Sequence, residues 1–372
     1  MKQKKVLFII HLPPPIHGAS LLGKFIYDSK IINTTYQTKY INLGTTKAFK
    51  DRKRITLRKL IHFIKLSVNC FFTNIFYNPD VVYLTLTSNG TGFYKDALIV
   101  FLLKLKGTQI IYHHHNKGVY NYQHKFLDNI FYKMVFRNAY SVVGSKWLYF
   151  DIEKYIDKDH IYYCANGIPV PNYPIAERKT TQGAVQILFL SNLIESKGVY
   201  TLLKACHYLN KKGVGFKCAY AGSEGDISAC ELQDQIDGFG LKDKVVYAGK
   251  KYGEDKHKAF QEADIFAFPT HYPNECFPLV ILEAMQYSLP VISTPEGGVP
   301  DMVENDKNGF LIQQKDSKEL AEKLELLINN SSLRHEMGQT GHKKYLKQFT
   351  VETYGNTIKN IIQDVLKRDK HK

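Results

Sequence analysis

Glu275 and Glu283 lie eight positions apart in the stretch Thr270-His271-Tyr272-Pro273-Asn274-Glu275-Cys276-Phe277-Pro278-Leu279-Val280-Ile281-Leu282-Glu283. Pro278 is expected to open a helix running through Tyr287, because its fixed φ is helical and its missing N–H would have had no partner there. The N–H groups of Leu279 and Val280 then face the preceding loop with the positive end of the helix dipole behind them. Such an end takes an anion, and phosphate is its usual occupant. Glu275, in the loop with Phe277, and Glu283, inside the helix, can then meet opposite ends of a phosphorylated ligand. The plain alternative is a strand–loop–helix junction whose two glutamates are merely solvated.

Two further groups have the same character. Ser191-Asn192-Leu193-Ile194-Glu195-Ser196-Lys197-Gly198 follows an apolar run and precedes a helix from about Val199. A lysine just ahead of a helix start can join backbone N–H groups in holding a phosphate, although surface lysines are common. His113-His114-His115 ends another apolar run. Strand alternation puts His113 and His115 on one side and His114 on the other. Adjacent strand histidines diverge and no companion carboxylate is evident, so a metal site is not expected. A buried, hydrogen-bonded structural histidine is an equally good reading of one of them. Gly18 and Ala19, ahead of a helix from about Leu21, would let a ligand or a second domain approach the backbone, and Gly222 occupies a similar loop after a later strand.

The elements that must carry these residues are apolar runs alternating with helical patterns. Strands are predicted at 5–10, 38–42, 81–86, 109–113, 141–144 and 161–164, and a fresh series begins at Val185. Solid apolar strands alternating with helices indicate doubly wound parallel sheets, whose ligands collect beyond the carboxyl ends of the strands. A chain of 372 residues fits two such domains better than one core. The turn-rich segment from Asn166 to about residue 184 is the expected boundary.

The chain carries a net charge of +15, so an anionic partner is expected. Lys47, Lys50, Arg52, Lys53, Arg54, Arg58 and Lys59 are opposed only by Asp51. They precede an amphipathic helical pattern, Leu57 to Tyr77, and this reads as attachment to an anionic membrane surface. Nucleic acid is not the expected partner, since no recognition motif accompanies the cluster. The six cysteines show no paired or zinc spacing and read as reduced thiols of a cytosolic protein. The basic start followed by Val6–Ile10 imitates a signal peptide but is too short, and no stretch is apolar enough to span a bilayer. No strand runs into G-x-G-x-x-G, which argues against a nicotinamide dehydrogenase.

Taken in order, these stretches resemble the retaining glycosyltransferases of family 4. Glu275 and Glu283 match that family's E-x7-E signature. Lys197-Gly198 match the end of its G-R-L-x-x-x-K-G loop, with Ser191 and Asn192 in place of the glycine and arginine. Gly222 lies in a loop close to A-G-x-G-P, Gly297-Gly298-Val299-Pro300-Asp301 resembles G-G-x-P-E, and Asn166-Gly167-Ile168-Pro169 matches the linker. The resemblance implies an α/β protein of the GT-B fold, two Rossmann-like doubly wound domains facing across a cleft. Residues 1–166 would be the acceptor-side domain, 167–184 the linker, 185–349 the nucleotide-sugar domain, and 350–372 a helix crossing back to the first.

It further implies transfer of a sugar, with retention, from a nucleotide sugar to a glycan or lipid-linked acceptor in polysaccharide biosynthesis, without metal or other cofactor. UDP is the more frequent nucleotide. Lys197, with the N–H groups of Leu279 and Val280 behind Pro278, would stabilise the leaving diphosphate. Glu283 would take the ribose hydroxyls and Glu275 the donor sugar. His115, with His113 second, would position sugar or acceptor, and Gly18-Ala19 would touch donor or acceptor. Asn192 carries no charge where the family has arginine, which leaves room for a catalytically weak nucleotide-sugar-binding relative. A nucleotide-sugar epimerase or hydrolase on the same fold is the other alternative. The expected place of action is the cytoplasm, peripheral on the inner face of the membrane.

Overall fold

A computed structural model describes residues 3–44, 57–171 and 183–368. The basic cluster Lys47–Lys59 and most of the predicted linker therefore lie outside the described residues, Arg58 and Lys59 being seen only as helix backbone.

The chain divides into two compact units, one formed by residues 1–167 with 351–372 and the other by residues 168–350. The first holds β1 (Lys5–Ile10), β2 (Gln37–Asn42), β3 (Val81–Leu86), β4 (Gln109–His114), β5 (Tyr140–Val143) and β6 (Ile161–Tyr163). They form one sheet in the order β2-β1-β3-β4-β5-β6, every neighbour parallel. All six residues of β3 are buried, as is all of β1 and β4 beyond the first residue, because helices cover both faces of a parallel sheet. The edge strand β2 alternates exposed Gln37 and Lys39 with more sheltered neighbours. The helix Val351–Arg368 belongs to this unit and buries Tyr354, Ile358, Ile361, Ile362 and Val365, a stripe of helical period. Tyr36 Oη donates to its Lys359 carbonyl at 2.8 Å.

The second unit repeats the plan with β7 (Val185–Leu190), β8 (Phe216–Ala221), β9 (Val245–Tyr247), β10 (Ile265–Phe268), β11 (Val291–Ser293) and β12 (Gly309–Leu311). The order is β12-β11-β10-β7-β8-β9, again all parallel. Chain order reverses between β7 and β10, so the loops after these two strands lead to opposite sides and leave the crevice in which such sheets bind ligands. In the first unit the same reversal falls between β1 and β3.

Two helix starts differ from the sequence reading. The first helix spans Gly18–Tyr27 and so begins at Gly18, ahead of Leu21. His17 Nδ1 accepts from the Ser20 N–H at 3.3 Å while Ser20 Oγ accepts from the His17 N–H at 3.0 Å, a reciprocal cap in which histidine replaces the usual short polar residue. The helix after the Glu275 loop spans Leu279–Gln286, with Pro278 outside it at φ −69° and ψ 114° and Tyr287 closing it. Proline's φ suits the helix, but its extended ψ leaves it as the capping residue and not the first helical one.

Candidate functional site

In the second unit the candidate residues gather at the topological reversal. The loop after β7 contributes Lys197, on a short 3-10 turn, Glu195–Lys197. The loop after β10 contributes Thr270, Tyr272 and Glu275. The two loops are joined through the backbone, with the His271 N–H donating to the Ser196 carbonyl at 2.7 Å and Thr270 Oγ1 to the same carbonyl at 3.4 Å. Lys197 Nζ then lies 2.5 Å from Glu275 Oε2, 4.3 Å from the centre of the Tyr272 ring and 5.6 Å from that of Phe268. Thr270 Oγ1 is 3.4 Å from the same carboxylate oxygen. The pair is largely withdrawn from water, with side-chain exposures of 15% for Lys197 and 9% for Glu275.

The Glu275 loop is held from its far side by the turn after β11. The Gly298 N–H donates to the Cys276 carbonyl at 2.6 Å. Gly297 has φ +57°, and a Cβ there would stand 2.6 Å from the Glu275 carbonyl oxygen and 2.7 Å from that of Cys276. Glycine is thus required at 297 both by its left-handed backbone and by the approach of the loop. Gly222, at φ +152°, is equally constrained, since a Cβ would lie 1.8 Å from the Ser191 carbonyl oxygen. Asn192, the next residue, is exposed.

The helix Leu279–Gln286 has no side-chain cap, and Leu279 and Val280 are half-buried at its start with Phe277 and Pro278 buried just before it. Its first N–H groups have no partner within the helix. Glu283 is not gathered with Glu275. It forms a separate ion pair, 2.5 Å from Lys256 Nζ, with both side chains about a quarter exposed (29% for lysine, 24% for glutamate). This unit therefore presents two separate ion pairs, Lys197–Glu275 and Lys256–Glu283.

The first unit assembles a different constellation. The His113 and His115 rings are 4.2 Å apart, while His114 turns away to stack on Phe136 and to place its Nε2 3.2 Å from Ser141 Oγ. His115 itself lies one residue beyond β4. Tyr83 Oη, from β3, is 2.5 Å from His113 Nδ1, and Tyr354 of the last helix lies 6.1 Å from the same ring. His11 and His17, after β1, pair edge to face at 5.8 Å. Burial holds His114 down at about 4. Burial, then the neighbouring His11, His114 and His17, hold His115 down at about 3. Burial and the two adjacent histidines push His113 well below its ordinary value. Neutral imidazoles at physiological pH can donate to or accept from a hydroxyl, but a group at about 3 is far from the pH at which a general base works best. Asp151 fixes the following loop by accepting the Gly118, Val119 and Tyr120 N–H groups at 2.9 to 3.2 Å.

Gly18 is exposed, and a Cβ there would meet nothing within 4 Å of the rest of the chain. Among the described residues no group of three or more His, Cys, Asp or Glu is placed to hold a metal ion, and no helix is long and apolar enough to cross a membrane. Sequence reasoning missed Lys256, Thr270, Tyr272, His11 and His17 as members of these clusters. The only available signal was position, each following or flanking a strand end, and Lys256 had none.

Residues 175–344 match the family model described as glycosyl transferases group 1. The capsular polysaccharide biosynthesis glycosyltransferase CapM of Staphylococcus aureus is 26% identical over 215 residues, 56% of this chain and 55% of that protein. The amylovoran biosynthesis glycosyltransferase AmsK of Erwinia amylovora is 31% identical over 159 residues, 42% of this chain and 39% of that protein. The chain thus matches only about half, or less, of the length of these curated relatives. A glycosyltransferase structure from Rickettsia africae has a TM-score of 0.77 at 16% identity, covering 99% of this chain and 100% of that one. Anabaena HepE, solved with UDP and glucose, has a TM-score of 0.70 at 17% identity, covering 97% and 100%. At such identities the structural likeness speaks for the fold alone. The fold is GT-B, as the sequence resemblance implied, and residues 175–344 resemble the group 1 glycosyl transferases.

Proposed function

We propose that the protein is a retaining glycosyltransferase of family 4 that moves a sugar from a nucleotide sugar to a glycan or lipid-linked saccharide during bacterial surface polysaccharide synthesis. The observation that carries this reading is the Lys197–Glu275 pair, drawn out of water beside an uncapped helix start at the strand-order reversal of the second unit. The capsular and amylovoran relatives named above support the pathway, and the structure of HepE with UDP supports UDP as the first donor to test.

In this reading residues 185–349 bind the donor, residues 1–166 face the acceptor, and the helix 350–372 links the two roles. The diphosphate rests at the N–H groups of Leu279 and Val280, with Lys197 turning from Glu275 toward the phosphate nearer the sugar. As the bond from the anomeric carbon to the phosphate oxygen breaks, charge grows on that oxygen, and a preplaced ammonium and helix start stabilise it most at that moment. Glu275, released from Lys197, accepts sugar hydroxyls. Glu283 accepts the ribose hydroxyls, its present partner Lys256 lending the pair a fixed position. The acceptor oxygen attacks the face the leaving group vacates, and its proton passes to the departing phosphate. No protein base is needed, which agrees with a His115 imidazole held at about 3 and so suited to orienting a hydroxyl. The reading needs no bound metal or cofactor. Asn192 contributes hydrogen bonds without charge, leaving Lys197 as the principal phosphate cation. A second partner is an anionic membrane surface, met through the Lys47–Lys59 segment on the cytoplasmic face.

The test has two steps. Thermal-shift measurements with UDP-, GDP- and ADP-sugars should show stabilisation by one nucleotide class only. Turnover with lipid-linked saccharide acceptors should then give a product whose anomeric configuration, read by NMR, matches the donor's. Rapid donor consumption without acceptor, or an inverted product, would refute the proposal.

A further inference from the structure

Two segments of the first unit, each following one of two neighbouring strands, present aromatic rings to solvent. After β5, Ser145 opens a 3-10 helix, Lys146–Asp151, and its Oγ accepts the Trp147 N–H at 3.1 Å. With three residues per turn, side chains three apart share a face. Leu148 and Asp151 are buried on one face, while Trp147 and Phe150 stand on another with exposures of 52% and 42%. After β4, the short helix Val119–Tyr122 buries Val119 and exposes Tyr120 at 48%. The Tyr120 and Phe150 rings meet edge to face at 5.7 Å. Asp151 binds the two segments together, because its carboxylate accepts the N–H groups of Gly118, Val119 and Tyr120. Single exposed aromatic residues are ordinary. Three rings on a frame fixed from beneath by a buried carboxylate are a prepared surface, since little conformational freedom remains to be lost on binding.

Chemistry narrows the occupant. Lys146 Nζ lies 5.4 Å from the centre of the Trp147 ring, and Lys117 Nζ 5.8 Å from that of Phe150. Asp151 carries the one carboxylate of Lys117–Tyr122 and Lys146–Asp151, and it is turned inward onto backbone N–H groups. A ligand on these two segments therefore meets cations and no exposed carboxylate, which favours an anion. Aromatic faces carry partial negative charge and attract the slightly positive C–H groups on the face of a sugar ring. The hydroxyls at the sugar's rim need polar partners, and Tyr120 Oη and the two ammonium groups are of the kind to supply them. Trp147 and Phe150 are offset by about 6 Å along the 3-10 helix, which sets successive rings of a saccharide against successive side chains. A nucleobase is held best between parallel ring faces, and Tyr120 stands at 69° to Phe150.

We propose that Tyr120, Trp147 and Phe150, with Lys117 and Lys146, form a subsite for the acceptor glycan, and that the sugar bound there carries negative charge, as a carboxylate or a phosphate linkage. The role of acceptor rests on the proposed function, whereas the binding of an acidic saccharide does not. Lys117 follows His115 by two residues, which sets the subsite beside the strand end where neutral imidazoles can meet a hydroxyl.

Trp147 is the single tryptophan of the chain, so its fluorescence reads this surface directly. The full chain is titrated with trigalacturonate, glucose 1-phosphate and neutral maltotriose. At least one of the two acidic sugars should give a saturable change below about 10 mM and bind more tightly than maltotriose. The better of the two tells carboxylate from phosphate. Phe150→Leu and Tyr120→Leu keep the reporter and should each weaken binding by about tenfold, whereas Phe150→Tyr should retain it. Lys117→Gln and Lys146→Gln should each weaken the acidic sugar by about threefold and leave maltotriose unchanged. In turnover assays the Leu variants should raise the KM for acceptor and not that for donor. Circular dichroism checks folding, and Lys146→Gln, at an exposed position, decides the charge preference even where a ring variant misfolds. No change with any of the three sugars, or equal binding of acidic and neutral ones, would overturn the inference. So would a change produced by UDP alone and lost in Phe150→Leu, or one produced only by phosphatidylglycerol vesicles. If no nucleotide sugar stabilises the chain while the acidic sugar binds as expected, the proposed function fails and the saccharide site stands.

Discussion

At the ends of β7 and β10, a lysine and a glutamate are locked together by two loops and a glycine that tolerates no side chain. At the ends of β1 and β4 gather five histidines, His11, His17, His113, His114 and His115, and burial keeps the last three neutral. Both clusters lie at the carboxyl ends of strands in six-stranded parallel sheets, one at the reversal between β7 and β10 and the other after β1 and β4, which flank β3. The difference is what each sheet end can do. The glycine-backed cluster holds an ion pair drawn out of water, whereas the neutral rings can exchange hydrogen bonds with hydroxyl groups. A shared fold therefore fixes where ligands collect, and the side chains decide what each place can bind.

The comparison breaks most visibly at Lys197. Lys197→Ala should lower the rate of sugar transfer by about 10²–10³-fold, the cost of losing one preplaced charge at a developing anion. The same variant leaves Glu275 buried without its cation, and thermal denaturation should show a loss of stability. Rates within a few-fold of the parent would remove Lys197 from the chemistry.

Gly297→Ala should destabilise the chain by about 2–3 kcal/mol, since the left-handed backbone and two carbonyl oxygens within 2.7 Å both oppose a Cβ. Urea denaturation measures it, and donor affinity should fall while the histidine cluster keeps its spectroscopic signature by NMR. An unchanged urea midpoint would show that the loop simply shifts aside.

Acid should act on the other cluster. His114 has a folded-state pKa of about 4 against an ordinary value near 6.5, so the unfolded chain takes up a proton between these values and the folded chain does not. Its stabilising contribution is whole above pH 6.5 and is lost progressively as pH falls toward 4. Between pH 7.5 and 5 the loss is on the order of 2 kcal/mol for this histidine alone. Urea denaturation at the two pH values, repeated on His114→Phe, should show the variant less sensitive over this window. Equal sensitivity would deny the buried neutral state.

The smallest expected effect is at His115. His115→Ala should raise the KM for acceptor by about tenfold, as for a lost hydrogen bond, with donor KM little changed and no new inflection in the pH–rate profile near 6.5. Loss of an inflection at that pH would instead mark His115 as a working base.

The sheets were legible because parallel strands buried on both faces leave unbroken apolar runs: β1 and β3 begin and end where the sequence places them. The Leu57–Tyr77 helix was legible in extent but not in orientation, because periodicity locates an apolar stripe without saying whether it faces in or out. The helix start after Pro278 was legible from local spacing, whereas the Lys197–Glu275 ion pair joins residues 78 positions apart and was not. Lys256 was not, because its meeting with Glu283 spans 27 positions and depends on how two helices pack. His17 was missed as a cap because its ring imitates a role that sequence rules reserve for smaller side chains. Gly297 was noticed as part of a turn, but its reason, the carbonyl of Glu275 pressing on it, exists only in three dimensions.

A crystal structure with an intact or slowly transferred UDP-sugar tests the central claim most directly. The account predicts the diphosphate against the Leu279 and Val280 N–H groups, with Lys197 Nζ turned from Glu275 onto a phosphate oxygen. A nucleotide bound elsewhere, with the Lys197–Glu275 pair still closed at 2.5 Å, would contradict it.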